Sequence, residues 1–113
     1  FTMPAILRRG RVTIAVDTSG SSPALARVLR DRLSEWIGSE YAQLSELLLE
    51  MREELKAQIR EPARRTAMVR DALNKGVLEL LRAGKYDEAR ELLQQCVRRW
   101  SQATATPHEQ EGV

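Results

Sequence analysis

The sequence predicts an α+β fold that is mostly α-helical: a short β-hairpin plus helix, followed by a small helical bundle. Three observations support this prediction. Two short apolar runs flank a turn at Gly10. Leu, Ala, Glu and Arg dominate the rest of the chain and favour helix. After residue 22, apolar residues recur at spacings of three and four, which is the helical period.

Residues 1–18 have the pattern of a β-hairpin. The runs FTMPAIL and RVTIAVD are joined by RRG, where Gly10 can supply the positive φ of a tight turn. Pro4 cannot donate to a ladder, so the first strand is expected at an edge or to be short. An isolated hairpin is marginal in water. This one is therefore expected to pack on the following helix, on a further segment or on a second copy of the chain.

The sequence pattern of residues 22–37 predicts a helix. Ser22 is the expected N-cap and Pro23 the first helical residue, where a missing N–H has no cost. Gly38 is expected to end the helix. The apolar residues that share one face of this helix are Leu25, Val28, Leu29, Leu33, Trp36 and Ile37.

The remaining chain predicts three further helices, over residues 39–60, 62–74 and 85–100, with a helical turn between the last two. Tyr86 is expected to point inward. The domain prediction is a hairpin–helix unit at 1–37, a helical domain at 38–100 and a disordered tail at 101–113.

Composition narrows the class of protein. Residues 1–37 carry six arginines and three acidic residues, a net charge of +3, whereas the rest of the chain carries −1. Cys96 is the single cysteine, which excludes an internal disulfide and suits a reducing cytoplasm. No apolar run is long enough to cross a bilayer. The chain begins at Phe1 with no initiator Met or signal peptide, so it is expected to be a piece of a longer protein.

The loop DTSGSS, which joins the second predicted strand to the first helix, is the candidate binding site. It offers hydroxyl groups, a glycine that allows close approach of a ligand, and the N–H groups of a helix start. One interpretation is anion binding, and the other is simple helix capping. Neither the P-loop nor the dinucleotide pattern is present. The candidate substrate-binding residues are Thr18, Ser19, Gly20, Ser21, Ser22 and Arg27.

Other chemistry has little support in the sequence. His108 has no Cys or His cluster near it, so no metal site is predicted. Cys96 lies on an apolar helix face, as expected of a buried thiol. Arg60, Arg64 and Arg65 could face an anion or mark a solvated helix end. No interleaved aromatics accompany them, so no nucleic-acid partner is predicted, and no catalytic residue is found.

The order of residues 1–37 resembles the segment that follows the dinucleotide-binding domain in precorrin-2 dehydrogenases of the siroheme synthase family. Shared features are a Phe-x-x-Pro-Ala run, an Arg-Gly turn, an Ile/Val/Ala strand and a Ser-Pro-Ala-Leu-Ala-Arg helix start. The matching residues are Phe1, Pro4, Ala5, Arg9, Gly10, Ile14, Ala15, Val16, Thr18, Gly20, Ser22, Pro23, Leu25, Ala26 and Arg27. The chain departs from the family at Asp17, Ser19 and Ser21.

The resemblance implies a specific function. Family members use NAD to oxidise precorrin-2 to sirohydrochlorin on the way to siroheme, and some also insert iron. Their NAD-binding Rossmann domain and catalytic aspartate would precede Phe1, so no cofactor is expected on this chain itself. Residues 1–37 would form a homodimer, with strands paired across it, and part of the tetrapyrrole cleft. The alternative is a non-catalytic helical module that binds an anionic ligand or a protein partner.

Overall fold

The computed structural model describes residues 3–102, so Phe1, His108 and the predicted tail from residue 103 onward lie outside the described residues. These residues form a two-stranded antiparallel sheet and six helices, which confirms the predicted α+β, mostly α, class. The elements are β1 (Ala5–Arg9), β2 (Val12–Val16), α1 (Pro23–Trp36), α2 (Glu40–Glu50), α3 (Arg52–Gln58), α4 (Pro62–Asn74), α5 (Val77–Arg82) and α6 (Tyr86–Gln102).

The hairpin has the register expected for a two-residue turn. Arg9 pairs with Val12, so Gly10 and Arg11 form the turn. Gly10 has φ of 60°, the positive value that a type II′ turn needs at its first central residue. A Cβ on Gly10 would lie 2.9 Å from the Cβ of Ala42 in α2. The glycine is therefore required both by the backbone conformation and by the close approach of α2.

Helix α1 packs on both strands through the side that contains Ala26. Arg9 at the end of β1 ties the strand to the C-terminal end of this helix. Its Nε donates to the Ile37 carbonyl at 2.7 Å, and its Nη2 donates to the carbonyl and hydroxyl of Ser34 at 3.1 and 2.7 Å. The guanidinium therefore satisfies carbonyls that have no partner within the helix.

The start of α1 has the predicted cap. Ser22 is extended, with φ of −162°, and its Oγ accepts the N–H of Leu25 at 3.0 Å. Replacing Ser22 with alanine is expected to destabilise the fold by about 1 kcal/mol, because this N–H loses its acceptor. Thermal denaturation checks the value. Ser21→Ala is the matched control, since the neighbouring hydroxyl is exposed and caps nothing, and an equal loss in both variants would contradict the capping role.

The chain divides into two compact units between Glu46 and Leu47, within α2. The predicted boundary after residue 37 separates two segments by their expected roles and not by their packing contacts. It therefore stays a prediction. In the second unit, α6 packs against α4 and α5 around an apolar core. The most completely buried large side chains of this core are Ile59, Met68, Val77, Leu81, Leu93, Cys96 and Val97.

Helix 62–74 is confirmed at the predicted bounds, but the single helix predicted over residues 39–60 is wrong. Met51 leaves helical geometry, with φ of −95° and ψ of 6°, and separates α2 from α3. Leu47, Met51, Leu55 and Ile59 are all buried at a spacing of four. This spacing drifts by about 40° per step around a regular helix, and the break at Met51 compensates for the drift.

The last helix also differs from the prediction. It continues to Gln102, two residues beyond the predicted end. Tyr86, predicted to point inward, is 45% exposed. It is the first residue of α6 and lies outside the packed region, whereas Ala89 and Leu93 one and two turns later are fully buried.

Candidate functional site

The loop that precedes α1 is a tight turn. The N–H of Ser21 donates to the carbonyl of Thr18 at 3.1 Å, and the two residues between them, Ser19 and Gly20, have positive φ values of 55° and 81°. Positive φ at both central positions is the pattern of a type I′ turn. The turn directs the chain from the end of β2 into the first residue of α1.

Two of the four predicted hydroxyl groups hold the loop together rather than face outward. The Oγ1 of Thr18 accepts the N–H of Ser22 at 3.1 Å and donates to the Ser22 carbonyl at 2.9 Å. The Oγ of Ser22 caps α1. Ser19 and Ser21 are exposed, so their hydroxyls remain open to solvent. The structure thus brings these residues together, but the Thr18 hydroxyl bonds the Ser22 backbone within the loop and the Ser22 hydroxyl caps α1.

Asp17 is accommodated within the loop. Its Oδ1 accepts the N–H of Ser19 at 3.1 Å. This contact stabilises the turn, and it also uses one of the N–H groups that an anion would otherwise bind. The Asp17 carboxylate, which departs from the family pattern, therefore has a hydrogen-bond partner within the loop.

Arg27 lies in a shallow groove of about 260 Å³ between the start of the hairpin and α1. Within residues 3–102, its guanidinium makes no ion pair or hydrogen bond. Arg30 lies one helical turn later in the same groove and pairs with Asp31 at 3.1 Å. The other lining residues are Met3, Pro4, Ala5, Ile6, Pro23 and Ala26.

The groove adds residues that the sequence analysis did not select. Arg30 follows Arg27 by three positions, and this helical spacing places both cations on one side of α1. That spacing could have identified Arg30 from the sequence. The contribution of residues 3–6 could not have been identified, because it depends on how the hairpin packs on the helix. Pro23 lines the groove and directly follows Ser22, so the groove begins at the predicted loop.

The opposite side of α1 is an exposed apolar surface, here called the α1 face and consisting of Leu25, Val28, Leu29 and Trp36. Their exposed fractions are 47%, 49%, 39% and 69%. Large apolar residues scattered singly on a surface are ordinary, but these four lie on one side of a single helix, and a clustered apolar surface is typical of an interaction site.

The arginines predicted to face either an anion or solvent at the start of α4 have mainly structural contacts. Arg64 donates to the Trp100 carbonyl at 2.5 Å, and its guanidinium lies 5.4 Å from the centre of the Trp100 ring. Arg65 donates to the carbonyls of Ile59 and Arg60 at the end of α3. These contacts fix helix ends and leave Arg60 as the exposed member of the three.

Cys96 and Asp71 are titratable groups whose pKa values are shifted. Burial raises the pKa of the Cys96 thiol, and the negative charge of Asp71 adds to this effect, so the thiol is a poor nucleophile. The hydrogen bond from Lys75 at 2.8 Å lowers the pKa of Asp71, with further contributions from Trp100 and Arg99 that outweigh burial. Asp71 is a structural carboxylate that joins α4 to the end of α6.

Two negative findings concern residues 3–102. No group of three or more His, Cys, Asp or Glu side chains there is arranged to hold a metal ion. None of the helices in this range combines the length and apolar character needed to span a membrane.

The described residues are mostly helical and form two compact units, and the first unit carries an exposed apolar helix face and a groove lined by Arg27 and Arg30. A family model described as the sirohaem synthase dimerisation region matches residues 40–96. The chain belongs to this family.

Curated relatives of this chain include siroheme synthases. That of Thioalkalivibrio sulfidiphilus (strain HL-EbGR7) is 36% identical over 97 residues, covering 86% of this chain and 20% of the relative. That of Methylococcus capsulatus (strain ATCC 33009 / NCIMB 11132 / Bath) is 37% identical over 93 residues, covering 82% and 20%. The chain therefore spans about a fifth of the length of these relatives.

A solved structure of SirC, precorrin-2 dehydrogenase, has the same fold. It superposes with a TM-score of 0.61 at 26% sequence identity, covering 87% of this chain and 47% of that one. These comparisons confirm the resemblance to the siroheme synthase and precorrin-2 dehydrogenase family. The dimerisation model falls on residues 40–96, whereas the resemblance of residues 1–37 to the family implies a dimer contact within those residues.

Proposed function

We propose that this chain is the dimerisation and tetrapyrrole-cleft segment of an NAD-dependent precorrin-2 dehydrogenase in siroheme biosynthesis. The observation that carries the proposal is the α1 face, four large apolar side chains left exposed on the side of α1 opposite an arginine-lined groove. A dimer would cover the apolar surface. Membership of a family named for dimerisation supports a dimer, and the matched residues, 40–96, do not include α1.

The groove is suited to a ligand rich in carboxylates, as precorrin-2 is. Arg27 is unpaired within residues 3–102, and its guanidinium can bind a carboxylate through two parallel hydrogen bonds. Arg30 adds a second positive charge. Ser19 and Ser21, exposed on the adjoining turn, would act as secondary hydrogen-bond donors. Thr18, Gly20 and Ser22 would support the site by shaping the turn and the helix start.

Oxidation of precorrin-2 needs NAD, and the described residues do not fit that cofactor. A dinucleotide site uses a parallel sheet with a glycine-rich turn before a helix. Residues 3–102 contain a two-stranded antiparallel hairpin instead. The NAD site and the catalytic residues would therefore belong to a Rossmann domain encoded before Phe1. This chain contributes contacts to the substrate rather than to the redox step.

The oligomeric state tests the first half of the proposal. Light scattering over a dilution series of this chain is expected to give the mass of a homodimer that persists on dilution. A folded monomer at every concentration would contradict a dimer contact built by these residues.

Substitution of Arg27 tests the second half. Arg27→Ala is expected to weaken the binding of uroporphyrin, a carboxylate-rich porphyrin, by about tenfold, because a charge-assisted pair of hydrogen bonds is lost. Fluorescence titration measures the affinity, and the melting temperature should hardly change because Arg27 is exposed. Arg98→Ala, which removes an exposed arginine from α6, is the matched control. Equal affinities for wild type and Arg27→Ala would refute the cleft assignment.

A non-catalytic helical module that binds an anionic ligand or a protein partner is the second candidate, favoured by the arginine-lined groove and the α1 face. It is distinguished by the parent sequence before Phe1. A strand followed by a glycine-rich turn there would support the dehydrogenase, and its absence would favour the module.

A further inference from the structure

We propose that Ile6 is a specificity-determining residue of the groove, the one that recognises the flat ring of a carboxylate-rich ligand separately from its charges. The inference rests on the proposed function, because it concerns the same groove. It goes further by dividing the groove into a part that attracts carboxylates and a part that recognises the ring that carries them.

The groove has two unlike walls. Its cations, Arg27 and Arg30, both come from α1. The opposite wall consists of residues 3–6, none of which carries a charge. The cationic wall can bind any carboxylate that reaches it. The apolar wall adds affinity only when the ligand also brings apolar surface that leaves water. The groove as a whole therefore suits a ligand that combines the two.

Ile6 is the large apolar side chain of this wall with a fixed backbone. Its neighbours Ala5 and Leu7 are 8% and 6% exposed, whereas Ile6 is 39% exposed. Because successive side chains of a strand point to opposite faces, Ile6 cannot join the core that its neighbours form. Its backbone is held by pairing with Ala15 of β2, whereas Met3 precedes the strand. Ile6 is therefore a positioned apolar contact that the fold of this chain leaves uncovered.

The size of the groove indicates how a ring would use it. Its volume of about 260 Å³ is smaller than the roughly 300–1,000 Å³ of pockets that enclose a drug-sized ligand. The groove therefore accommodates one edge of a macrocycle rather than the whole ring. An edge bound there would place ring carbons against Ile6 and peripheral carboxylates near Arg27 and Arg30. A small carboxylate without a ring could bind the arginines and gain nothing from Ile6.

Substitution of Ile6 combined with a change of salt tests this assignment. Ile6→Ser is expected to weaken the binding of uroporphyrin about fivefold, because an apolar contact is lost. The loss should be the same at about 50 mM and about 500 mM NaCl, since salt screens charges and not apolar contacts. The loss in Arg27→Ala should instead be smaller at the higher salt concentration. Fluorescence titration gives the dissociation constants.

Ile6→Val is the matched control for the side chain. It keeps an apolar, β-branched residue in the strand and is expected to bind uroporphyrin within about twofold of wild type. Circular dichroism confirms that each variant is folded. A loss in Ile6→Ser that shrinks at high salt, as in Arg27→Ala, would show that the substitution disturbs the arginines, and it would overturn the role of Ile6.

The remaining outcomes separate this inference from the proposed function. If Arg27→Ala weakens the binding of uroporphyrin but Ile6→Ser does not, the cleft assignment stands and the role given to Ile6 is wrong. If neither substitution changes the affinity, or if the wild-type chain does not bind uroporphyrin, the cleft assignment fails and this inference fails with it.

Discussion

Replacing Leu29 with glutamate is expected to convert the proposed dimer of this chain into monomers. Leu29 is 39% exposed and lies at the centre of the α1 face, so the isolated chain tolerates a charge there. In the proposed dimer the same position is covered, and a buried carboxylate without a partner costs about 3 kcal/mol or more. This cost corresponds to at least a hundredfold weaker dimer. Light scattering at matched concentrations measures the change.

Leu49→Glu is the matched control for this prediction. Leu49 has almost the same exposed fraction, 40%, but belongs to α2 and to the segment that the dimerisation model matches. The dimer is expected to survive this substitution. The reverse result, with Leu49→Glu monomeric and Leu29→Glu dimeric, would move the contact from residues 1–37 into residues 40–96.

Replacing Arg9 with alanine is expected to destabilise the fold by about 3 kcal/mol. The side chain donates to the carbonyls of Ile37, Ser34 and Arg8 and to the hydroxyl of Ser34, at distances of 2.7 to 3.1 Å. The contacts to Ile37 and Ser34 are part-buried, so their loss leaves carbonyls at the end of α1 without a partner. Hydrogen bonds from a charged donor contribute about 1.5–3 kcal/mol each, although several on one side chain are not additive. Chemical denaturation gives the free energy of unfolding.

Two variants make this measurement specific. Arg8→Ala removes an arginine from the adjacent position, where the guanidinium makes a single exposed contact with Thr13, and is expected to cost less than about 0.5 kcal/mol. Arg9→Lys keeps the charge but not the planar fork, and should recover little of the loss. Because association also stabilises the folded state, the series is compared in a Leu29→Glu background. Similar losses for Arg8→Ala and Arg9→Ala would refute the bridging role.

The local elements could be predicted well from the sequence. The turn at Gly10, the cap at Ser22 and the helix from Pro62 to Asn74 lie where predicted. Each depends on residues close in the chain: a glycine free to adopt positive φ, a serine that accepts an N–H three residues later, and a proline suited to the first helical turn.

The candidate site could be predicted only in part. The loop residues from Thr18 to Ser22 do gather at the start of α1, but which hydroxyls cap the helix and which face solvent depends on the type I′ turn. Arg30 enters the groove because the hairpin packs on that side of α1. No pattern in the sequence indicates which side of the helix the hairpin covers.

The sequence by itself determined the class of fold, the order of the elements and the family, because these depend on periodicity, capping residues and a specific run of matching positions. Only the tertiary structure decided what each surface does. It placed Ala26 against the hairpin and left Leu29 exposed, although both are apolar residues of one helix. It placed the Arg9 guanidinium in hydrogen-bond contact with the end of α1. Burial and bridging depend on residues distant in the chain, and a local pattern does not contain that information.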